Sequence, residues 1–156
     1  MTFDEFKEKR LGKSYQENAT LGKQCVAMVK LFAQEVQGIK LSSFSWSAIN
    51  WRNTGSPFKW LPFTKMVYSW SWSPKRWDVV FFAPTKANKH WHVAIAWLST
   101  DKELWVIEQN AWKGKWQGKD GDEISIRSYP YKGGRTGDVL WRYTLKQTTS
   151  KELYWK

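Results

Sequence analysis

Apolar side chains recur at Val26, Val29, Phe32, Ala33 and Val36, the i, i+3, i+4, i+7 spacing of a helix buried along one side. Lys30, Gln34 and Gln37 share the opposite face. Gly22 supplies a turn ahead of this run, and Gly38 stands where a left-handed residue closes such a helix. Upstream, Phe3 and Phe6 fall on one side of a short charged segment with Asp4 and Glu5 near its start, which predicts a covering helix over 3–10. Residues 11–24 are polar, punctuated by Gly12 and Gly22, and read as loop.

From residue 77 the period falls from 3.6 to 2. Strands are expected over 77–83, 91–98, 104–111, 124–129 and 138–143, each bounded by turn residues. Their connections are short, so they pair antiparallel. Between helix and strands, residues 39–76 hold nine aromatic side chains and are broken by Gly55, Pro57, Pro62 and Pro74. Helical turns are expected near 48–51 and 62–68. So many aromatic groups do not suit a disordered linker; an ordered aromatic surface, forming part of a substrate groove, is the expectation. The pattern predicts an α+β fold, N-terminal helices packed on an antiparallel sheet of about five strands. At 156 residues this is one domain, 1–156, with its core over 3–143 and a polar tail over 144–156.

Composition narrows the chemistry. The single cysteine, Cys25, excludes an internal disulfide and a cysteine-rich zinc site. Twenty-five Lys and Arg against 14 Asp and Glu leave a net charge of +11, which points to a polyanion: nucleic acid, an anionic membrane or an anionic bacterial wall. Thirteen Trp residues serve equally to fill a core, to stack on bases or to stack on sugar rings. The first ten residues alternate charges without an apolar stretch, and nowhere do about 18 apolar residues run together. Neither a signal peptide nor stable membrane insertion is therefore expected. A protein of this kind that acts outside the cell must be let out by another agent.

Cys25 sits in the first turn of the regular helix, where free amides and partial positive charge favour a thiolate over a thiol of pKa about 8.5. By itself a lone cysteine on an apolar helix is more often a small buried hydrophobe. A cysteine nucleophile needs a base in reach and a third group to orient that base. The two histidines are His90 and His92. Alternation puts His92, Ala94 and Ala96 on one strand face and Val93, Ile95 and Trp97 on the other, and the small alanines mark the first face as the one the Cys25 helix approaches. The next strand carries Glu108 and Asn110 on one face, with Ile107 and Gln109 on the other. A carboxylate there would accept the second imidazole N–H. Two other readings stay open: a metal-dependent hydrolase built on His90, His92 and Glu108, which leaves Cys25 without a role, and a non-enzymatic basic Trp-rich module that binds single-stranded nucleic acid or cell wall.

The succession Gly22-x-Gln24-Cys25-Val26-x-x-Val29, then 77–82 as Trp-Asp-Val-Val-Phe-Phe, then His92-Val-Ala-Ile-Ala, then Val106-Ile-Glu-Gln-Asn110 resembles the CHAP domain. These are the cysteine- and histidine-dependent amidohydrolases and peptidases of the papain-like NlpC/P60 superfamily, and the resemblance runs over 3–143. It implies a papain-like fold with Cys25 as nucleophile, His92 as general base, Glu108 as its orienting partner and Asn110 as an auxiliary polar group. Gln24, Trp91 and Trp112 are the corresponding candidates for substrate binding. The resemblance implies cleavage of an amide bond in peptidoglycan, between muramic acid and L-alanine or within the stem or cross-bridge, and many members are phage endolysins.

Two departures stand out. Trp91 occupies a position that is commonly Gly, where it would crowd or wall the groove. Many phage members carry an Asp-rich calcium loop before the nucleophile, whereas residues 15–24 contain no Asp. No calcium requirement is therefore expected, and no other metal or cofactor. The resulting expectation is a monomeric lysin made in the host cytoplasm, released by a holin if phage-borne, whose partner is the anionic wall and not nucleic acid.

Overall fold

The computed structural model describes residues 1–16, 25–41, 74–82, 92–109 and 123–130, together with the backbone of 63–67 and 139–145. Helix α1, Phe3–Arg10, starts at a capping box: the Glu5 amide donates to Thr2 Oγ1 at 3.2 Å, and the Thr2 amide donates to the Glu5 carboxylate at 2.7 Å. Its Phe3 and Phe6 turn inward onto Phe32. Helix α2, Cys25–Phe32, continues as a π-helical turn, Ala33–Gln37, and ends at Gly38 with φ 69°, as the sequence pattern predicts. The Ile39 amide donates back to the Ala33 carbonyl at 2.9 Å, closing the cap. Arg10 fastens α1 to the π turn, with Nε donating to Glu35 at 3.1 Å and Nη2 to the other oxygen. This pairing holds the Glu35 carboxyl below the ordinary carboxylate range.

The expectation that α2 is buried along one side only needs correction. Every residue from Cys25 to Ala33 is buried, Lys30 included. The helix lies against the sheet on one side and takes Phe3 and Phe6 on another, so that solvent reaches only the end that carries Gln34.

Among the described residues six strands form one open antiparallel sheet in the order β1-β6-β2-β3-β4-β5. They are β1 Phe63–Val67, β2 Val79–Phe82, β3 His92–Ser99, β4 Glu103–Glu108, β5 Ser125–Pro130 and β6 Val139–Leu145. The α+β class holds, and the count of about five strands is corrected to six. The additional strand is β1, where a helical turn was expected near 62–68. Five residues pair along their whole length with β6, from Phe63 opposite Leu145 to Val67 opposite Trp141, partners 74 to 82 positions away that local propensity does not register. The same pairing draws 144–145 out of the expected tail and into β6. The helical turn expected near 48–51 and most of the aromatic stretch 39–76 lie outside the described residues.

Two apolar layers flank the sheet. One holds α1 and α2 against Val79, Phe81, Val93, Ile95 and Ile107; the other gathers Val80, Phe82, Ala94, Ala96, Leu104, Val106 and Tyr129. The helix thus packs on the Val93 and Ile95 face and not on the alanine face. Bulky branched residues bury more area against α2, and the space the alanines leave is filled from the neighbouring strands by Phe82 and Tyr129.

The strand expected from residue 77 begins at Val79, because Trp77 belongs to the preceding turn and has φ 73°. A left-handed backbone costs a bulky residue about 1–2 kcal/mol. It is held by amide bonding to Ala96 at 2.7 Å and by burial of the indole against Phe3 and Phe32, with centroids 4.5 and 5.3 Å away. Among the described residues no helix is long and apolar enough to cross a membrane.

Candidate active site

His92 opens β3 and Glu108 closes the adjacent antiparallel β4, so the two meet at one end of the sheet. Their contact is direct: His92 Nε2 lies 2.9 Å from Glu108 Oε2, and neither residue is more than 2% exposed. An imidazole has two nitrogens. Nε2 faces Glu108, and the ring also meets the side chain of Cys25, whose hydrogen bond raises the His92 pKa. Cys25, a free thiol, is the first residue of α2, and its side chain is buried in the helix-bearing layer. The sulfur and the imidazole therefore meet where helix and strand both begin.

Glu108 is held from its other side as well. The Tyr129 hydroxyl donates to Oε1, and Arg127 Nε lies 3.9 Å from the same oxygen. The Phe82 ring covers the group, 5.9 Å from the imidazole and 5.5 Å from the Tyr129 ring. Burial by itself pulls the His92 pKa down, but hydrogen bonds to Cys25 and Glu108 and the charges of both push it up to about 10. His92 is thus a cation at neutral pH, beside a sulfur on one side and a carboxylate on the other.

That shift is linked to stability. A pKa raised from 6.5 to about 10 on folding contributes stability that is complete below pH 6.5, fades above it and is lost as the pH rises through about 10. The difference in melting temperature between the wild type and His92→Gln will therefore shrink steadily from pH 6.5 to pH 10. A constant difference in differential scanning calorimetry would show that His92 is not the group that titrates.

Three of the residues singled out in the sequence, Cys25, His92 and Glu108, are brought together by the fold. Gln24, Trp91, Asn110 and Trp112 lie outside the described residues. So does His90, the first member of the alternative metal set, whose other two members are bonded to each other. Sequence reasoning missed Tyr129 and Arg127. Their strand was recognised, but their place beside Glu108 depends on the β4–β5 register, which sets Val106 opposite Arg127 and Leu104 opposite Tyr129. The signal available was a tyrosine and an arginine two positions apart, hence on one face. Gln109 points to the other face, where its side chain accepts from the Tyr15 amide at 2.7 Å and donates to the Tyr15 carbonyl at 2.8 Å. It thereby anchors the segment that leads towards α2.

The fold resembles that of two solved structures. The crystal structure of the wild-type endolysin LysIME-EF1 superposes with a TM-score of 0.67 at 17% identity, over 93% of this chain and 63% of that one. The crystal structure of Ly7917 with the hydrolysing product of MDP superposes with a TM-score of 0.50 at 18% identity, over 81% of this chain and 56% of that one. The likeness is one of fold, and this chain spans less than two thirds of either protein. No protein-family model and no curated protein matches the sequence.

Proposed function

We propose that this chain is a peptidoglycan hydrolase of the CHAP type that cleaves an amide bond through Cys25, His92 and Glu108. The observation that carries the reading is the unbroken line from the Cys25 side chain through the imidazole to a fully buried carboxylate. A satisfied core histidine would need no buried anion, and burying one without a catalytic use is costly. The endolysin fold makes bacterial wall the substrate to test first.

In this mechanism the Cys25 sulfur attacks the amide carbonyl, and the backbone amides at the start of α2 stabilise the oxyanion. His92, already protonated, gives its proton to the leaving amine; the neutral ring then takes a proton from the water that releases the acyl group. Glu108 keeps the ring oriented and offsets its charge in both steps. The net charge of +11 holds the enzyme on an anionic wall, with added salt weakening the attachment. The enzyme acts as a monomer after release from the producing cell, and it needs neither calcium nor nucleic acid.

Purified peptidoglycan incubated with the protein will yield soluble fragments whose new ends, read by mass spectrometry, are a free L-alanine amine or a cut stem or cross-bridge. Intact glycan strands with no new amine across several wall chemistries would reject the reading.

A further inference from the structure

Tyr129 is a second fixed point of the catalytic group. We propose that it is a positioning residue: its hydroxyl holds the Glu108 carboxylate in the one rotation that orients His92 towards Cys25. The inference rests on the Cys25 and His92 chemistry proposed above and adds a residue to it.

A carboxylate has two equivalent oxygens and rotates freely unless both are engaged. Here Oε2 faces His92 Nε2, while Oε1 accepts from Tyr129 and lies 3.9 Å from Arg127 Nε. The phenol is itself immobile, with Tyr129 buried in the layer of Phe82, Leu104 and Val106. Glu108 and His92 form one buried pair. Among the described residues the groups facing this pair are Cys25 from α2, Tyr129 and Arg127 from β5, and the uncharged Phe82 from β2. Arg127 is partly exposed and beyond hydrogen-bond distance of the carboxylate, so its charge is the more screened of the two influences. The hydroxyl is the closer control.

Tyr129→Phe removes one oxygen and keeps the ring packed on Phe82. A hydrogen bond to a charged group corresponds to about a tenfold to hundredfold change in an equilibrium. The rate of Cys25 alkylation by iodoacetamide at pH 7 will therefore fall by about tenfold in Tyr129→Phe. In parallel, ¹⁵N spectra of histidine-labelled protein followed against pH will show the His92 titration midpoint lower in the variant than in the wild type by about one pH unit, the same tenfold change. The wild type, His92→Ala and Glu108→Gln provide the references in both measurements. An alkylation profile and a His92 spectrum in Tyr129→Phe that match the wild type, while Glu108→Gln changes both, would overturn the role of Tyr129 alone. Alkylation of the wild type indistinguishable from His92→Ala would overturn the Cys25 and His92 pairing and this proposal with it. A loss of melting temperature without a change in either chemical readout would mark Tyr129 as a packing residue only and overturn the proposal.

Discussion

Cys25→Ala will lower the release of soluble fragments from purified peptidoglycan by at least about a thousandfold, with the fold retained. The reasoning is chemical before it is structural. No other side chain bonded to His92 in the described residues can form an acyl intermediate of comparable use: Glu108 is fully buried and bonded to His92 Nε2. Alanine is smaller than cysteine and compatible with the helix, so the cost to folding is about 1 kcal/mol and far smaller than the loss of rate. The measurement is a reducing-end and amine assay on the two proteins side by side, with circular dichroism to verify the helix. Equal release would dismiss Cys25 as nucleophile and return attention to a metal-dependent reading.

Glu108→Gln will have the next largest effect, and it will appear in both stability and rate. The substitution keeps the shape and removes the charge. A buried imidazolium then stands without its counter-ion, a change that costs about 3–5 kcal/mol when one partner of a buried pair is removed. The protein has a cheaper response, which is to release the proton. Desolvation is the largest influence on His92 and acts downward, and without the carboxylate only Cys25 opposes it, so the ring's pKa will fall. Activity at neutral pH will drop by about 10³- to 10⁴-fold, the scale seen when a histidine loses its orienting carboxylate in an acyl-transfer site. The high-pH limb of the rate profile, near 10 in the wild type if it follows His92, will move to lower pH. Urea unfolding gives the stability and a pH–rate profile gives the limb; a profile that stays in place with less than tenfold loss would show that Glu108 does not hold the ring.

Much of this site was legible before folding. The charged α1 with its two inward phenylalanines, the Cys25 helix ending at Gly38, and five strands close to β2 to β6 follow from spacing and turn residues alone. Cys25, His92 and Glu108 were readable because each opens or closes a regular element, and element ends are where a few side chains from different segments converge. Trp77 shows the limit. The strand was expected to begin there, whereas the residue's φ of 73° is supported by contacts with Phe3 and Phe32 and a bond to the Ala96 carbonyl, all distant in the chain.

The sequence by itself determined which residues lie on which face of each element, because a period of 3.6 or 2 is a property of the local backbone. It also determined the chemical inventory: one thiol, two imidazoles and a strongly basic surface. The tertiary structure alone decided which face meets which neighbour. Alternation separated Ala94 and Ala96 from Val93 and Ile95, but the choice of the bulky face for α2 depended on the volumes that Phe82 and Tyr129 bring from other strands. Register did the rest. The pairing of β1 with β6 and of β4 with β5 joins segments whose separation along the chain carries no local signal, and the second of these pairings brings Tyr129 and Arg127 to the buried carboxylate of Glu108.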